Sequence, residues 1–349
     1  MWAEHAVHTL PAMNDFSESL DRVAAETGFS GVVRIDEEGA TFARAYGKAH
    51  RGLGIPIDVD TQFAIASGGK TFTALAVIRL VVDGILSLDT TARSILGVDL
   101  PLIAEDVNVE HLLSHRSGIG DYLDEGGEEY DPHDYLMKSP VQVLDETEAF
   151  LVELDGYPTR FPAGERFSYC NGGFVVLALI AERASGVPYH RLVQERVIEP
   201  AGLVDTGFFR TDEPTGRMAL GYLDETGLRT NIFHLPVKGN GDGGIYTTVG
   251  DLSRLWGAFY AGDIVPDDWV IEMTRPHAEA PEEGARYGFG FWLDDDGPGV
   301  KIIGGDTGAS CYSRHDPTTG SNRTVLSNTV GGAWPIARHI SQGDHQVEQ

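Results

Sequence analysis

Two segments of the chain are apolar around the whole circumference of a predicted helix. Residues 72–82 are almost all apolar or strong helix formers, and residues 174–181 repeat this pattern inside a helix predicted over residues 168–185. A helix that is hydrophobic on every side is buried rather than half exposed. The first segment is too short to span a membrane, and it carries Arg79. The pattern therefore predicts two buried central helices.

Shorter periodic segments surround these two helices. Apolar residues at helical spacing predict helices over residues 14–27, 140–155, 188–198, 248–262 and 332–342, with short helical pieces within residues 86–113. Strands are predicted at residues 31–36, 40–46, 287–293, 300–304, 308–314 and 323–328, and residues 37–39 form a hairpin turn between the first two. Strands at both ends with helices between them indicate one sheet built from both termini and a helical insertion.

The net charge of the chain limits the classes of molecule that it is expected to bind. The 349 residues include 53 acidic and 26 basic side chains, which gives a formal net charge of −27. Nucleic acids and anionic membranes are bound by basic surfaces, so we expect neither as a partner. Cys170 and Cys311 show no metal-binding or redox spacing. The N-terminal residues lack the basic and apolar regions of a signal peptide, so we expect a cytoplasmic protein.

Ser67 and Lys70 stand three residues apart at the amino end of the first central helix. This spacing places both side chains on one face, beside unpaired N–H groups and the positive end of the helix dipole. A serine and a lysine there form a plausible nucleophile and proton acceptor. The alternative is a helix cap and a solvated lysine. Gly68 and Gly69 favour the functional interpretation, because two glycines in a first turn cost about 1–2 kcal/mol relative to alanine, and such departures mark functional sites.

Tyr169 and Asn171 open the second central helix, and Tyr-x-Asn occurs nowhere else in the chain. Two buried helices with polar residues at their amino ends can converge on one cleft. A nearby lysine ammonium would favour the phenolate of Tyr169, which could then pass a proton between the serine and a leaving group. The alternatives are a half-buried aromatic residue for Tyr169 and a helix cap for Asn171.

Seven carboxylates lie within fourteen residues between the two central helices. They are Asp121, Asp124, Glu125, Glu128, Glu129, Asp131 and Asp134. A run of this kind is most often a solvated loop, with a cation or partner site as the minority alternative.

The ordered motifs resemble the serine β-lactamase and D-alanyl-D-alanine carboxypeptidase superfamily, in particular its class C-like, penicillin-binding-protein-like branch. The matching segments are residues 61–70, 84–89, 111–122, 162–171, 243–248 and 287–290. Ser-x-x-Lys is among the signatures of these enzymes. The resemblance implies an α+β fold of the β-lactamase/transpeptidase type, with an antiparallel sheet flanked by N- and C-terminal helices and a mainly helical insertion. We expect an α/β sheet domain from residues 1–84 and 245–349, a mainly helical domain from residues 85–244, and the active site in the cleft between them.

The resemblance also implies roles for the residues at the two central helices. Ser67 would be the acylated nucleophile, with Lys70 its proton acceptor or electrostatic partner. Tyr169 would be a second proton shuttle, and Asn171 would donate a hydrogen bond to the substrate carbonyl.

The family's third motif is Lys/His-Thr-Gly on an edge strand, and by resemblance it falls on Asp306, Thr307 and Gly308. The N–H groups of Ala309 and Ser67 would then form the oxyanion hole. Asp306 departs from the family, whose residue there is usually cationic or neutral. A carboxylate in its place would repel a substrate carboxylate, so we expect neutral or cationic acyl donors to be preferred over penicillin-like ones.

These implications together predict a serine hydrolase that forms a covalent acyl-enzyme on Ser67. Its substrate would be a small-molecule or peptide-like ester or amide, as for an esterase, a peptidase or amidase, or a β-lactamase, and it would need no metal and no cofactor. One alternative is a transacylase of the same chemistry. Another is a catalytically silent binding or regulatory module that kept the fold. The oligomeric state is left open.

Overall fold

The computed structural model describes residues 10–125 and 136–341. Its strands are β1 (Gly31–Glu37), β2 (Ala40–Tyr46), β3 (Lys48–His50), β4 (Ile55–Pro56), β5 (Phe63–Ala64), β6 (Tyr246–Thr247), β7 (Ala278–Ala280), β8 (Ala285–Tyr287), β9 (Trp292–Asp294), β10 (Val300–Asp306), β11 (Ala309–His315) and β12 (Asn322–Ser327). Eight of them form one antiparallel sheet in the order β2-β1-β12-β11-β10-β9-β8-β7. The sheet is therefore built from both ends of the chain, as predicted.

The helices occupy both ends and most of the middle of the described chain. They are α1 (Leu10–Thr27), α2 (Gly69–Val82), α3 (Ala92–Leu96), α4 (Val109–Leu113), α5 (Leu151–Leu154), α6 (Asn171–Ser185), α7 (Tyr189–Val193), α8 (Val249–Tyr260), α9 (Asp267–Thr274) and α10 (Ala333–Ser341). A π-helical turn, Gln194–Ile198, continues α7. The predicted helices at residues 14–27, 168–185, 188–198, 248–262 and 332–342 correspond to α1, α6, α7 with its π turn, α8 and α10.

Each face of the sheet is covered by different helices. Consecutive strand residues point to opposite faces, and the neighbours Val32 and Val33 of β1 belong to two separate apolar clusters. Val33 packs in a cluster with Leu20 of α1 and Ile336 of α10, whereas Val32 belongs to the main core. The terminal helices therefore flank the sheet, which confirms the predicted fold class.

The main core surrounds α2 and α6, which contact each other and are buried on all sides. Val77 and Leu177 are both fully buried, as the all-round apolar composition predicts. The core runs without interruption from Val32 to Leu326, across the domain boundary expected after residue 84. The division into domains of residues 1–84 with 245–349 and 85–244 therefore stays a proposal that rests on the order of the elements.

The single helix predicted over residues 140–155 is wrong. The segment forms the three-ten turns Val141–Val143 and Thr147–Phe150, followed by the short α5. The Val141 carbonyl accepts the Val237 N–H at 3.0 Å and so bonds to a distant segment. Asp145 is paired with Arg210 at 2.8 Å. Tertiary contacts thus override the helical pattern of this segment.

The strand predicted over residues 287–293 is a hairpin, with β8 ending at Tyr287 and β9 beginning at Trp292. Gly290 adopts a φ of 77° and approaches α2 so closely that a Cβ there would collide with the Ala74 side chain. The sequence patterns also missed α9 and β7. The short turn between β1 and β2 is confirmed, because Glu38 and Gly39 both have positive φ.

Candidate active site

Ser67 lies in a three-ten turn, Ala66–Gly68, that leads directly into α2. Ala66 before it has a φ of 47°, a left-handed conformation that is uncommon for alanine and is typical of strained functional turns. The glycines after Ser67 admit close neighbours, because a Cβ on Gly69 would lie 3.0 Å from the Gly243 Cα. The two glycines noted in the sequence therefore let another backbone segment reach the amino end of α2.

Lys70 is 2% exposed, and its ammonium donates to three acceptors. Nζ lies 2.9 Å from Ser67 Oγ, 2.7 Å from Asn171 Oδ1 and 2.7 Å from the Asp242 carbonyl. Burial is the largest cause acting on this group, and it lowers the pKa of Lys70. The carboxylates that oppose this lowering are those of Asp242, Glu125, Asp121 and Asp306. The structure thus holds a desolvated lysine directly against the serine hydroxyl.

Tyr169 comes to the same point from the segment before α6, and it lines the same cavity as Ser67. The Lys70 Nζ lies 5.0 Å from the centre of its ring. Burial nevertheless raises the pKa of Tyr169 well above its ordinary value, the Glu125 carboxylate adds to the rise, and the Ser67 side chain lowers the pKa only in part. This rise in pKa opposes the expected stabilisation of the phenolate by Lys70 and favours the neutral phenol.

Asn171 is held by the loop that was predicted to be solvated. Its Nδ2 donates to the Leu123 carbonyl at 3.0 Å and to Glu125 Oε1 at 2.7 Å, while its Oδ1 accepts from Lys70. Both amide N–H groups are thus engaged, so a substrate carbonyl would have to displace Glu125 to reach them. The arrangement makes Asn171 first a partner of Lys70.

Asp121 is buried rather than solvated, being 4% exposed. Its carboxylate caps α6 by accepting the N–H groups of Asn171 at 2.6 Å and Gly172 at 2.8 Å. Burial raises the pKa of Asp121 to about 6, against these hydrogen bonds. Further along the loop, Asp124 pairs with Arg160 at 2.7 Å. Glu128, Glu129, Asp131 and Asp134 lie outside the described residues.

The strand residue that faces Ser67 is Gly304, four positions before the glycine of the expected third motif. A Cβ on Gly304 would collide with the Ile65 carbonyl and lie 2.9 Å from the Ser67 nitrogen. The strand that carries it, β10, lies between β11 and β9 in the sheet, but β9 pairs only with its first two residues, so the part of β10 beside Ser67 is paired with β11 alone. Only glycine allows two backbones to approach this closely, so the contact with the nucleophile is made at Gly304.

Asp306, Thr307, Gly308 and Ala309 form the end of the β10–β11 hairpin, with Asp306 paired to Ala309. Asp306 Oδ1 accepts the Thr307 N–H at 2.7 Å. The Thr307 carbonyl accepts from Asn231 Nδ2 at 2.8 Å, and Thr307 is fully buried. Thr307 and Gly308 therefore face the segment around Asn231, whereas Asp306 and Ala309 line a narrow space beside Ser67.

The hairpin also fixes the direction of two N–H groups. In a hairpin with a two-residue turn, the N–H of the residue after the turn faces the carbonyl of the residue before it. The Ala309 N–H therefore faces the Asp306 carbonyl and points into the hairpin. Hydrogen-bonded and non-bonded pairs alternate along antiparallel strands, so Gly305, opposite Ser310, directs its N–H away from β11. β9 pairs with β10 only at Val300 and Lys301, and Gly305 lines the cavity that contains Ser67.

Ser67 lies between two spaces of different size. The wider has a volume of about 950 Å³, and six carboxylates and two arginines line it. The carboxylates are Asp124, Glu125, Glu165, Glu279, Glu282 and Glu283, and the arginines are Arg116 and Arg166. The narrower has a volume of about 50 Å³, and its described lining includes Glu125, Asp242 and Asp306 and no basic side chain.

Three of the residues that shape this site were not singled out from the sequence. Asp242 supplies an acceptor for Lys70 and is hydrogen-bonded through its carboxylate to Tyr122, and Gly304 and Gly305 border Ser67. The available signals were two glycine-rich runs, Gly-Asp-Gly-Gly at residues 241–244 and the pair at 304–305. Neither run shows by itself which backbone it approaches.

No group of three or more His, Cys, Asp or Glu residues within 10–125 and 136–341 is arranged to hold a metal ion. In the same part of the chain, no helix has the length and apolar character needed to cross a membrane.

Comparisons with known proteins identify the family of the chain. The beta-lactamase family model matches residues 16–343. A penicillin-binding protein of Bacillus subtilis (strain 168) is 28% identical over 82% of this chain and 64% of its own length. Esterase EstB of Burkholderia gladioli is 31% identical over 73% of this chain and 72% of its own length.

The solved structures include a penicillin-binding protein from Bacillus halodurans with a TM-score of 0.86 and 33% identity, covering 93% of this chain and 99% of that one. The family match covers more than half of the chain, and the fold agrees over nearly all of it. The chain therefore belongs to the beta-lactamase family, within the superfamily of serine β-lactamases and penicillin-binding proteins that its motifs resemble.

Proposed function

We propose that the protein is a serine hydrolase that cleaves an ester or amide through an acyl-enzyme on Ser67. The observation that carries this proposal is the contact of Ser67 Oγ with the buried Lys70 Nζ at 2.9 Å, beside a cavity of about 950 Å³. Relatives named as an esterase and as penicillin-binding proteins support the same reaction class. A catalytically silent module would have no need of a desolvated lysine held against a serine.

Lys70 is the proton acceptor in the first step. Two of its three partners, Asn171 Oδ1 and the Asp242 carbonyl, can only accept hydrogen bonds. As a neutral amine, Lys70 can satisfy both with its N–H groups and direct its lone pair at Ser67 Oγ. The hydroxyl proton passes to Nζ while Oγ bonds to the substrate carbonyl carbon and the C=O π electrons move to oxygen. Burial assists, because it favours the neutral amine.

The N–H groups of Ser67 and Gly305 stabilise the resulting oxyanion. The contact of β10 with the nucleophile at Gly304 and the direction of the Gly305 N–H support this pair in place of Ser67 and Ala309. One such donor contributes roughly 3 kcal/mol to transition-state stabilisation in other acyl-transfer enzymes.

Tyr169 is the proton donor to the leaving group. Its raised pKa keeps the phenol protonated, and its place beside Ser67 in the wall of the same cavity puts it near the bond to the leaving group. When the oxyanion collapses, the leaving group departs with the phenol proton, and the proton held on Lys70 can restore the phenol. Water then attacks the acyl-enzyme and releases Ser67 by the same transfers in reverse.

Neutral or cationic acyl donors remain the predicted substrates. The carboxylates that line both spaces support this preference, since an anionic donor would enter a field of like charge. Asp306 contributes to that field at the narrow space, although its carboxylate also accepts the Thr307 N–H. The acyl donor is thus proposed by charge class. The cytoplasmic location expected from the sequence stays a prediction.

Covalent labelling tests the proposal. Incubation with a fluorophosphonate should give one adduct, located by mass spectrometry on Ser67, and a panel of nitrophenyl esters should be hydrolysed. Ser67→Ala should remove the adduct and lower turnover by at least ~1,000-fold, with Ser168→Ala as a control because Ser168 lines the same cavity. An adduct on another serine, or turnover retained by Ser67→Ala, would contradict the assignment.

A further inference from the structure

His115 holds the backbone on both sides of Tyr169. The Ser168 N–H donates to the His115 carbonyl at 2.8 Å, and the Cys170 N–H donates to His115 Nδ1 at 3.1 Å. The residues immediately before and after Tyr169 are thus bonded to the same histidine, one through its backbone and one through its side chain. Such a pair of bonds fixes the position from which the tyrosine side chain extends.

The imidazole ring also contacts the Tyr169 ring. The two ring centres are 4.4 Å apart at an interplanar angle of 34°, and His115 is 1% exposed. The imidazole also packs near the rings of Phe174 and Tyr287, whose centres lie 4.9 Å and 4.8 Å from its own. The phenol of Tyr169 therefore rests against a ring that has little freedom to move.

The backbone of His115 occupies a position where glycine is favoured. His115 follows Ser114, the C-cap residue of α4, and has a φ of 54°. This is the left-handed conformation in which glycine commonly ends a helix. In addition, its buried Nε2 has no hydrogen-bond partner within the described structure. Both features are unfavourable for folding, and glycine would avoid both. What histidine supplies and glycine lacks is the Nδ1 acceptor and the ring.

The hydrogen bond also fixes the tautomer. Because Nδ1 accepts the Cys170 N–H, the single ring proton of neutral imidazole is on Nε2. Burial, and to a smaller extent Lys70, lowers the pKa of His115 well below its ordinary value. The acceptor therefore stays available throughout the neutral pH range.

We propose that His115 is a positioning residue for Tyr169: the bond from the Cys170 N–H to His115 Nδ1 keeps the phenol in its place beside Ser67. The inference rests on the proposed function, because the role of Tyr169 as proton donor is part of that proposal. It assigns His115 no contact with the substrate. Its effect should appear in the rate of the chemical step, because a reacting group displaced by about 1 Å can lose roughly 100-fold in rate.

Three variants separate the acceptor from the ring and from the fold. His115→Asn keeps an acceptor oxygen near the position of Nδ1 and tolerates a positive φ. His115→Phe keeps a ring and loses the acceptor. His115→Gly loses both but favours the left-handed backbone, so it should fold. We expect His115→Phe and His115→Gly to lower kcat by about 10- to 100-fold with little change in KM, and His115→Asn to stay within about 3-fold of the parent. Rates are counted per active site titrated with a fluorophosphonate.

A second set of measurements uses a Tyr169→Phe background. Tyr169→Phe alone should lower kcat by at least ~100-fold, and adding His115→Phe should then cost less than about 2-fold, because the group being positioned is already gone. An equal loss from His115→Phe in both backgrounds would overturn the positioning role. Parent-like kcat in both His115→Phe and His115→Gly, or a His115→Asn as impaired as His115→Gly, would do the same.

The proposed function fails in a different way. If Ser67→Ala or Tyr169→Phe keeps full turnover, the catalytic assignment is wrong, and the positioning role is overturned with it. If both lose turnover while the His115 variants do not, only the positioning role is overturned.

Discussion

The amino ends of α2 and α6 meet at one site, but side chains cap the N–H groups of α6 and not those of α2. At α6, Asp121 accepts the N–H groups of Asn171 and Gly172, and Cys170 Sγ accepts the Gly173 N–H at 3.3 Å. At α2, no side chain within the described residues caps either the helix or the three-ten turn before it. The amino end of α6 is therefore capped by the protein's own carboxylate and is called the filled end below. The amino end of α2 has no such cap and is called the open end.

The difference shows where the site can accept new negative charge. N–H groups at a helix amino end stabilise anions, and at α6 that capacity is already used to fix Asn171 as the partner of Lys70. At α2 the capacity remains for an oxyanion formed on the substrate. A protein with 53 acidic residues has many carboxylates that could have capped α2, so the open end is consistent with a requirement of the reaction.

The largest expected effect comes from removing the base at the open end. Lys70→Met keeps the side-chain length and removes the amine, and we expect kcat/KM to fall by about 1,000-fold or more. In the parent, activity should rise with pH as Lys70 loses its proton, at a pH below the ordinary value of 10.5 because the pKa of Lys70 is lowered. That rise should be absent from the residual activity of Lys70→Met. Residual activity with the parent's pH profile would show that Lys70 is not the proton acceptor.

A smaller effect should follow from removing the second N–H donor at the open end. Gly305→Pro eliminates the N–H that points away from β11, so the β10–β11 hydrogen bonds should survive. We expect kcat to fall by about 100-fold, the scale of one oxyanion-hole donor. Steady-state kinetics and thermal unfolding measure the two effects separately. Gly305→Ala is the matched control, because it adds a side chain but keeps the N–H. Equal losses in the two variants would point to steric damage instead.

At the filled end, the expected effect is on stability rather than on rate. The pKa of Asp121 is raised from 3.8 to about 6, so its contribution to stability is fully present below pH 3.8 and is lost as pH rises through about 6. Each pKa unit corresponds to about 1.4 kcal/mol, so the contribution of Asp121 to the free energy of unfolding falls by about 3 kcal/mol. Asp121→Asn cannot titrate. The free energy of unfolding of the parent should therefore fall relative to Asp121→Asn between pH 4 and 7, as measured by denaturant unfolding. Parallel pH curves would contradict the assigned shift.

The smallest effect concerns the charge beside the open end. Asp306→Asn keeps an oxygen that can accept the Thr307 N–H and removes the charge. We expect the ratio of kcat/KM for neutral over carboxylate-bearing esters to fall by about 10-fold or less, mainly through KM, which corresponds to about 1.4 kcal/mol. Asp306→Lys should shift the ratio further in the same direction. A change in melting temperature with an unchanged ratio would show that Asp306 serves only the hairpin turn.

The sequence predicted best what depends on local spacing. The all-round apolar composition identified α2 and α6, and the placement of Ser67, Lys70, Tyr169 and Asn171 at their amino ends brought these four residues into one site. In each helix the polar residues precede a continuous buried segment, so their location follows from the helix boundary. Their catalytic roles stay predictions until they are measured.

The sequence predicted poorly what depends on distant partners. Asp121 has no local reason to be buried, because the N–H groups it caps lie 50 residues further along the chain. The choice between Gly304 and Gly308 depends on which part of β10 meets the turn at Ser67, and the packing of the sheet against α2 decides that. The hairpin at residues 287–293 likewise depends on Gly290 reaching Ala74.

The unequal spaces on the two sides of Ser67 set the shape of a covalent inhibitor. One side offers about 950 Å³ and the other about 50 Å³, so a large substituent has ample room on only one side. A reactive phosphonate with two bulky arms should therefore label Ser67 more slowly than one with a long arm and a methyl-sized arm. Stereoisomers of such an asymmetric reagent should inactivate the enzyme at different rates, because only one of them directs its small arm into the narrow space.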